Sequence, residues 1–280
     1  IASPLAVRTV PDGRRALALS AIATGSSVAM VVGLPLGRVV GLYVGWRMTF
    51  LSIAIISALI FVFILMVFPK LQSRGKFAFK ELPTLLHNRV LLGVFIMSVL
   101  FATAHYTGYS YIEPFLGKVA AMAPDTVTLV LIVCGGSGMF GSIAFSKYYM
   151  SNRRRFMLAV TLGPALCMLL LQAATTGMAY ILAVCILWGA MATAFNIAFQ
   201  DNTIRFAPEH ATSIAMSIFS GIFNLGIGSG AYIGGLVVSR LSIEYIGYAG
   251  GAIGMIAALY LTLRYFPNMR RREAAETKQK

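Results

Sequence analysis

Charge is scarce in this sequence: Asp, Glu, Lys and Arg make up 11% of its 280 residues, whereas soluble domains carry about a quarter. With 58% hydrophobic residues beside that scarcity, a water-soluble fold is excluded. The longest hydrophilic pieces, 69–89 and 267–280, are too short for a soluble domain. Only three cysteines occur, Cys134, Cys167 and Cys185, with no CxxC and no His nearby, which argues against a disulfide framework or a metal site and predicts buried free thiols. No cofactor is expected. HExxH, a Ser/His/Asp set and paired carboxylates are missing from the apolar segments, so an enzyme is not expected either. Outer-membrane strands are excluded because the apolar runs are continuous, without the apolar–polar alternation of ten-residue barrel segments.

What the sequence does have is long uncharged windows: 16–37, 48–69, 90–112, 126–146, 210–239 and 245–263. Each is long enough to cross a hydrocarbon core, which takes about 20 residues of helix. The window 156–200 is about twice that length and carries a turn signal, Thr175-Thr176-Gly177, so it divides into two spans. The pattern predicts an all-α membrane protein with eight transmembrane helices.

A formal charge of +14 raises the question of nucleic acid, and the position of the basic residues answers it. With successive loops assigned to alternate sides, 19 of the 23 Lys and Arg fall on one side, the asymmetry of cytoplasmic against external loops. The basicity is therefore read as topology, with both ends of the chain cytoplasmic, no nucleic-acid partner, and anionic membrane lipid beside Arg153 to Arg155 and Arg270 to Arg272. The chain opens at Ile1 without a signal-peptide pattern.

An ungapped repeat links the segments starting at Pro11 and at Pro208. At an offset of 197, Pro11 meets Pro208, Ala18 meets Ala215, Ser20 meets Ser217, Gly33 meets Gly230 and Gly37 meets Gly234. A parallel repeat of this kind occurs in transporters whose halves pack about an axis along the membrane normal. The first full span then pairs with the seventh, the repeat unit is six spans, and four more spans are expected upstream of Ile1.

The segments "ALSAIATGSSVAMVVGLPLGRVVGLYVGWRMTF", "TAHYTGYSYIEPF" and "FSGIFNLGIGSGAYIGG" resemble the major facilitator superfamily, within its drug:proton antiporter branch, and there the bacterial sugar efflux transporters. The resemblance implies a major facilitator fold of twelve spans, eight of them present here, in the bacterial inner membrane. It divides the chain into a remnant of the N-terminal bundle (1–68), a basic cytoplasmic central loop (69–89), the C-terminal bundle (90–267) and a basic tail (268–280). The antiporter motif, roughly GxxxGPxxGG, has its counterpart in "AMVVGLPLGR", where Gly33 and Gly37 fit, Pro35 stands one place late and Arg38 replaces a Gly. Pro35 removes a backbone donor, and Gly33 and Gly37 let another helix approach; a packing kink and a gating role are both open. The family's loop motif between spans has its second-half counterpart in "GSIAFSKYYMSNRRRF", which keeps Gly141 and Arg153 to Arg155 but not the acidic residue. Gly226, Gly230 and Gly234 form a similar small-residue ridge, expected at the interface between halves, where one bundle would rock against the other.

The run "TAHYTGYSYIEPF" is polar where a span should be apolar. On one helix from Val90 to about Ile112, His105, Tyr109 and Glu113 share a face at i, i+4 and i+8, with Tyr106 and Ser110 beside them. Polar groups at that depth are costly facing lipid and belong on a bundle interior or a wet cavity. Aromatic faces and convergent hydroxyls suit a sugar. For Glu113 a capping role before Pro114 stands beside a ligand role. Asn196, Gln200 and Asn224 are further candidates, each amide needing a neighbouring helix or a ligand; Trp188 fits cavity wall and lipid-facing filler equally.

These readings converge on a secondary active transporter exporting sugars or sugar analogues by alternating access in exchange for protons, with a monomer expected. The proton-coupling group is His105, Glu113, Asp201 or a residue upstream of Ile1. A multidrug exporter of the same architecture is the alternative, and a buried acid for cationic drugs would favour it.

Overall fold

A computed structural model describes Gly33, Leu36, Gly37, Leu85 and residues 39–67, 87–208 and 211–278, with side chains as far as Ala274. Among the described residues all regular elements are helical, and seven helical stretches are long and apolar enough to span a membrane. The eighth expected span, 16–37, lies outside the described residues except for Gly33, Leu36 and Gly37, and so does Pro35. Two compact units make up the chain, Ile1–Ala78 and Phe79–Lys280.

In the smaller unit, helix α1 (Trp46–Val67) follows a turn at Gly45. Gly45 adopts φ 100°, a left-handed conformation that a Cβ would oppose, and its N–H closes the preceding helical segment on the Val40 carbonyl at 3.1 Å. Thr49 on α1 sits 3.6 Å from where a Cβ of Gly41 would be and 4.0 Å from that of Gly37, whereas Gly33 has nothing within 4 Å. No residue of α1 is buried, and a helix apolar all round needs lipid or further helices around it.

The larger unit is built around α2 (Arg89–Tyr109). Asn88 starts this helix: its side-chain oxygen accepts from the Val90 and Leu91 amides, and its Nδ2 donates to the Phe206 carbonyl at 2.9 Å, fixing the start of α2 to the end of α7 (Met178–Phe206). The expectation of one helix running through Ile112 is corrected: α2 ends at Tyr109, and a short α3 (Ile112–Lys118) follows. Pro114 has no N–H to give the Ser110 carbonyl, so the ladder cannot pass that point. Instead Pro114 occupies the first turn of α3, where amides lack intrahelical partners anyway.

The next span is likewise two helices, α4 (Pro124–Gly136) and α5 (Gly138–Tyr148), meeting at Ser137, whose hydroxyl donates back to the Cys134 carbonyl at 2.6 Å. Helix α6 (Arg153–Ala174) is capped by Asn152 and ends where the turn at Thr175 to Gly177 was expected, before α7 begins at Met178. The chain then runs through α8 (Thr212–Arg240), a 3-10 turn (Ile243–Tyr245), α9 (Ile246–Tyr260), a π turn (Leu261–Tyr265) and α10 (Phe266–Lys278). The basic tail is thus a helical continuation of the last span.

The glycine ridge of α8 has a different place from the expected one. A Cβ on Gly226 would lie 2.6 Å from Ala102 Cβ, one on Gly230 2.5 Å from the Thr103 carbonyl, and one on Gly234 2.6 Å from the Thr107 carbonyl. All three are filled by α2 of the same unit, so the ridge is a fixed seat for α8 and not a sliding face for another bundle. Glycine is required there because the backbones themselves are in contact.

Candidate functional site

Two apolar cores occupy opposite ends of the larger unit. One contains Phe95, Phe101, Phe195, Phe199 and Tyr265; the other contains Phe115, Cys134, Cys167, Cys185 and Trp188. The polar stretch of α2 lies where they meet. His105 stands about 2 Å from the midpoint of the span Arg89–Lys118, at 1.5 Å of rise per residue.

His105 is enclosed by rings. The Trp188 indole Nε1–H donates to His105 Nδ1 at 3.0 Å, and Trp188 itself is fully buried. Phe101 stacks on one side of the imidazole at 5.9 Å between centroids and Tyr109 on the other at 5.1 Å, while Tyr106 meets it edge-on at 5.0 Å. Because Nδ1 accepts the indole proton, a neutral His105 carries its own proton on Nε2. Tyr106, Tyr109 and His105 are each half-buried, so the cluster has a tightly packed side against α7 and an accessible side. The ring column continues from Phe101 to Phe195 (3.5 Å) and Phe199 (4.1 Å).

The structure brings His105, Tyr106 and Tyr109 together, and leaves the other candidates apart from them. Glu113 lies beyond the break at Ser110, in the first turn of α3, exposed, so the single face from His105 to Glu113 does not form. Asn196 and Gln200 hydrogen-bond to each other, two and three turns along α7 from Trp188. Asn224 is exposed on α8 and donates to the Ser220 carbonyl of its own helix at 2.8 Å. Trp188 and Phe101 complete the cluster; the sequence left Trp188 undecided and gave no signal for Phe101, since a mid-helix aromatic is normally core.

A second polar assembly stands at the arginine-rich end. The Tyr149 hydroxyl donates to Asp201 Oδ2 at 2.8 Å and accepts from Asn202 Nδ2 at 2.9 Å; Arg153 reaches the same Asp201 oxygen at 3.4 Å and lies over the Tyr149 ring. Burial, reinforced by the hydrogen bond to Asp201, pushes the Tyr149 hydroxyl above the ordinary tyrosine range, against the pull of Arg153. Glu273 on α10 is held by Arg154 at 3.0 Å and approached by Arg205 at 3.9 Å. The acid missing from the segment around Arg153 is therefore supplied in space by Asp201 of α7. Cys134, Cys167 and Cys185 are buried and free.

The Major Facilitator Superfamily model matches residues 1–216. The chain belongs to the major facilitator superfamily. Its apolar helices make it a multi-pass integral membrane protein, and the superfamily makes it a secondary transporter. The rings and hydroxyls of α2 put both stacking surfaces and hydrogen-bonding groups at mid-span.

Proposed function

We propose that this protein exports sugars or sugar analogues across the bacterial inner membrane by alternating access, in exchange for protons, with its arginine-rich end in the cytoplasm. The observation that carries the reading is the cluster of His105, Tyr106 and Tyr109 backed by Trp188 at mid-span. Tyrosine and histidine rings give flat apolar faces for the C–H side of a pyranose or furanose, and the Tyr106 and Tyr109 hydroxyls and His105 Nε2 give donors and acceptors for its hydroxyls. His105 is also the titratable group nearest the middle of its span, which suits it to carry the exchanged proton. Asn196, Gln200, Asn224 and Glu113 belong to the same proposal as flanking polar groups along the path, and the sugar and protons are its partners.

Multidrug export by the same fold would call for a buried acid to receive a cation. In the larger unit the described acids Glu113, Asp125, Asp201, Glu244 and Glu273 all stand toward span ends, which favours a neutral polar solute. Everted membrane vesicles test the reading. An imposed proton gradient should drive uptake of a radiolabelled pentose such as arabinose, and His105→Phe and Tyr106→Phe should each abolish most of it. Uptake of a lipophilic drug cation with none of the sugar would overturn the assignment.

A further inference from the structure

The last span runs on without a break into α10, and the two sides of this rod have different chemistry. Leu261, Tyr265, Met269 and Glu273 follow one another at spacing four on its inward side: the first three are buried, and Glu273 is held by Arg154 of α6 at 3.0 Å and approached by Arg205 of α7 at 3.9 Å. These contacts fix α10 against the bundle and turn its other side outward. On that outward side Ile256, Leu259 and Leu263 are 58%, 57% and 64% exposed, and directly beyond them Arg264, Arg270 and Arg271 are exposed. About two turns of helix separate Leu263 from Arg270 and Arg264 from Arg271, so apolar and basic groups share one side. The change falls at a definite depth. A helix entering at Ile243 has risen about 30 Å by Arg264, the thickness of a hydrocarbon core, which puts Arg264 at the headgroup boundary. Arg270 and Arg271 lie about 10 Å further along the axis. Helical side chains tilt toward the N-terminus of their helix, here the membrane side, so both long side chains lean back toward the headgroups.

The structure also separates the two arginine runs that the sequence set beside anionic lipid. Arg153 and Arg154 are engaged by Asp201 and Glu273, whereas no ion pair holds Arg264, Arg270 or Arg271 among the described residues. We propose that the outward side of α9 and α10 binds one anionic phospholipid of the leaflet at the arginine-rich end. Its phosphate rests on Arg264, Arg270 and Arg271, and its acyl chains lie along Ile256, Leu259 and Leu263. Guanidinium groups suit this role because their planar forks donate to phosphate oxygens two at a time and stay charged at every physiological pH. The negative surface of an anionic leaflet adds to the attraction. A soluble phosphate would use the arginines alone; the apolar stripe leading up to them is what commits the site to a lipid. The site is independent of which solute the protein carries.

The test titrates lipid onto the purified complete protein in mild detergent and counts bound lipids by native mass spectrometry. Phosphatidylglycerol should be retained at least fivefold more than phosphatidylethanolamine with the same chains, and a tenfold excess of glycerol 3-phosphate should not displace it. Arg264→Gln/Arg270→Gln/Arg271→Gln should lower the retained phosphatidylglycerol at least fivefold. Lys118→Gln/Lys147→Gln/Arg240→Gln, which removes the same charge away from α10, should leave it within twofold. Leu259→Ser/Leu263→Ser should lower retention at least twofold with no change of charge. On the unaltered protein, a phosphatidylglycerol carrying a photoactivatable acyl chain should cross-link to α9 and α10. Cross-links confined to other helices, equal retention of the two lipids, equal losses in the two triple variants, or displacement by glycerol 3-phosphate would overturn the proposal.

Discussion

Trp188 donates its indole proton to the imidazole of His105, joining α7 to α2 by a side-chain hydrogen bond of 3.0 Å at mid-span. That bond sets the tautomer of His105 and aims Nε2 away from α7.

Trp188→Phe should remove the donor while keeping most of the packing. A buried acceptor without its partner costs about 1–3 kcal/mol, so the detergent-solubilised protein should lose stability by that order in thermal unfolding. Adding His105→Phe should recover part of the loss, since the orphaned nitrogen is then gone, and the double-variant cycle should be clearly non-additive.

The export reading predicts unequal roles for the polar residues of this stretch. Tyr106→Phe and His105→Phe should each reduce sugar flux at least tenfold, the second together with a stability loss of about 1–3 kcal/mol because the buried Trp188 N–H loses its acceptor, whereas Glu113→Gln, beyond the helix break, should reduce it less than threefold. Proteoliposome counterflow with labelled sugar measures both.

Backbone contact between α8 and α2 makes Gly230 intolerant of a side chain. Gly230→Ala should destabilise the protein by about 2–4 kcal/mol or block its folding, because the new methyl meets the Thr103 carbonyl at 2.5 Å. Gly228→Ala, two positions away with nothing within 4 Å, should change stability by less than about 1 kcal/mol. Fluorescence-detected size exclusion after graded heating distinguishes them.

At the arginine-rich end, Asp201→Ala should cost more than Arg154→Ala. Asp201 accepts from the buried Tyr149 hydroxyl as well as from Arg153, whereas Arg154 and Glu273 form a partly exposed pair, a class that contributes about 0–1 kcal/mol. Burial raises the folded-state pKa of Tyr149 above its unfolded value of 10.0. The sign follows: the contribution of this hydroxyl is constant at lower pH and is lost as pH rises above the unfolded value, where the unfolded chain releases the proton first. Stability should therefore decline at alkaline pH, and Tyr149→Phe should lessen that slope.

Much of the fold was legible from the runs of apolar residues. The spans beginning near Trp46, Arg89, Pro124, Arg153, Met178, Thr212 and Ile243 follow the uncharged windows closely. The division at Thr175 to Gly177 was visible because Gly ends helices. The break at Ser110 was less so: Pro114 was in view, but its effect on the helix behind it depends on whether it falls inside a helix or in the first turn of a new one. The polar run was legible as an anomaly, and His105, Tyr106 and Tyr109 share a cluster because helical spacing alone puts them together. Asn196 and Gln200 likewise pair by spacing, and Asn224 is satisfied by its own helix.

The sequence by itself determined that the chain lives in a membrane as helices, because its hydrophobicity and the scarcity of charge leave the backbone no other way to satisfy its hydrogen bonds in hydrocarbon. It also determined which helix carries a polar run at mid-span. Only the tertiary structure decided what each face meets: that Trp188 closes on His105, that Asp201 answers Arg153, and that the α8 glycines seat against α2. The reason is physical. Local sequence fixes periodicity along one helix, whereas contacts between helices depend on crossing angles and close approaches set by the whole bundle at once.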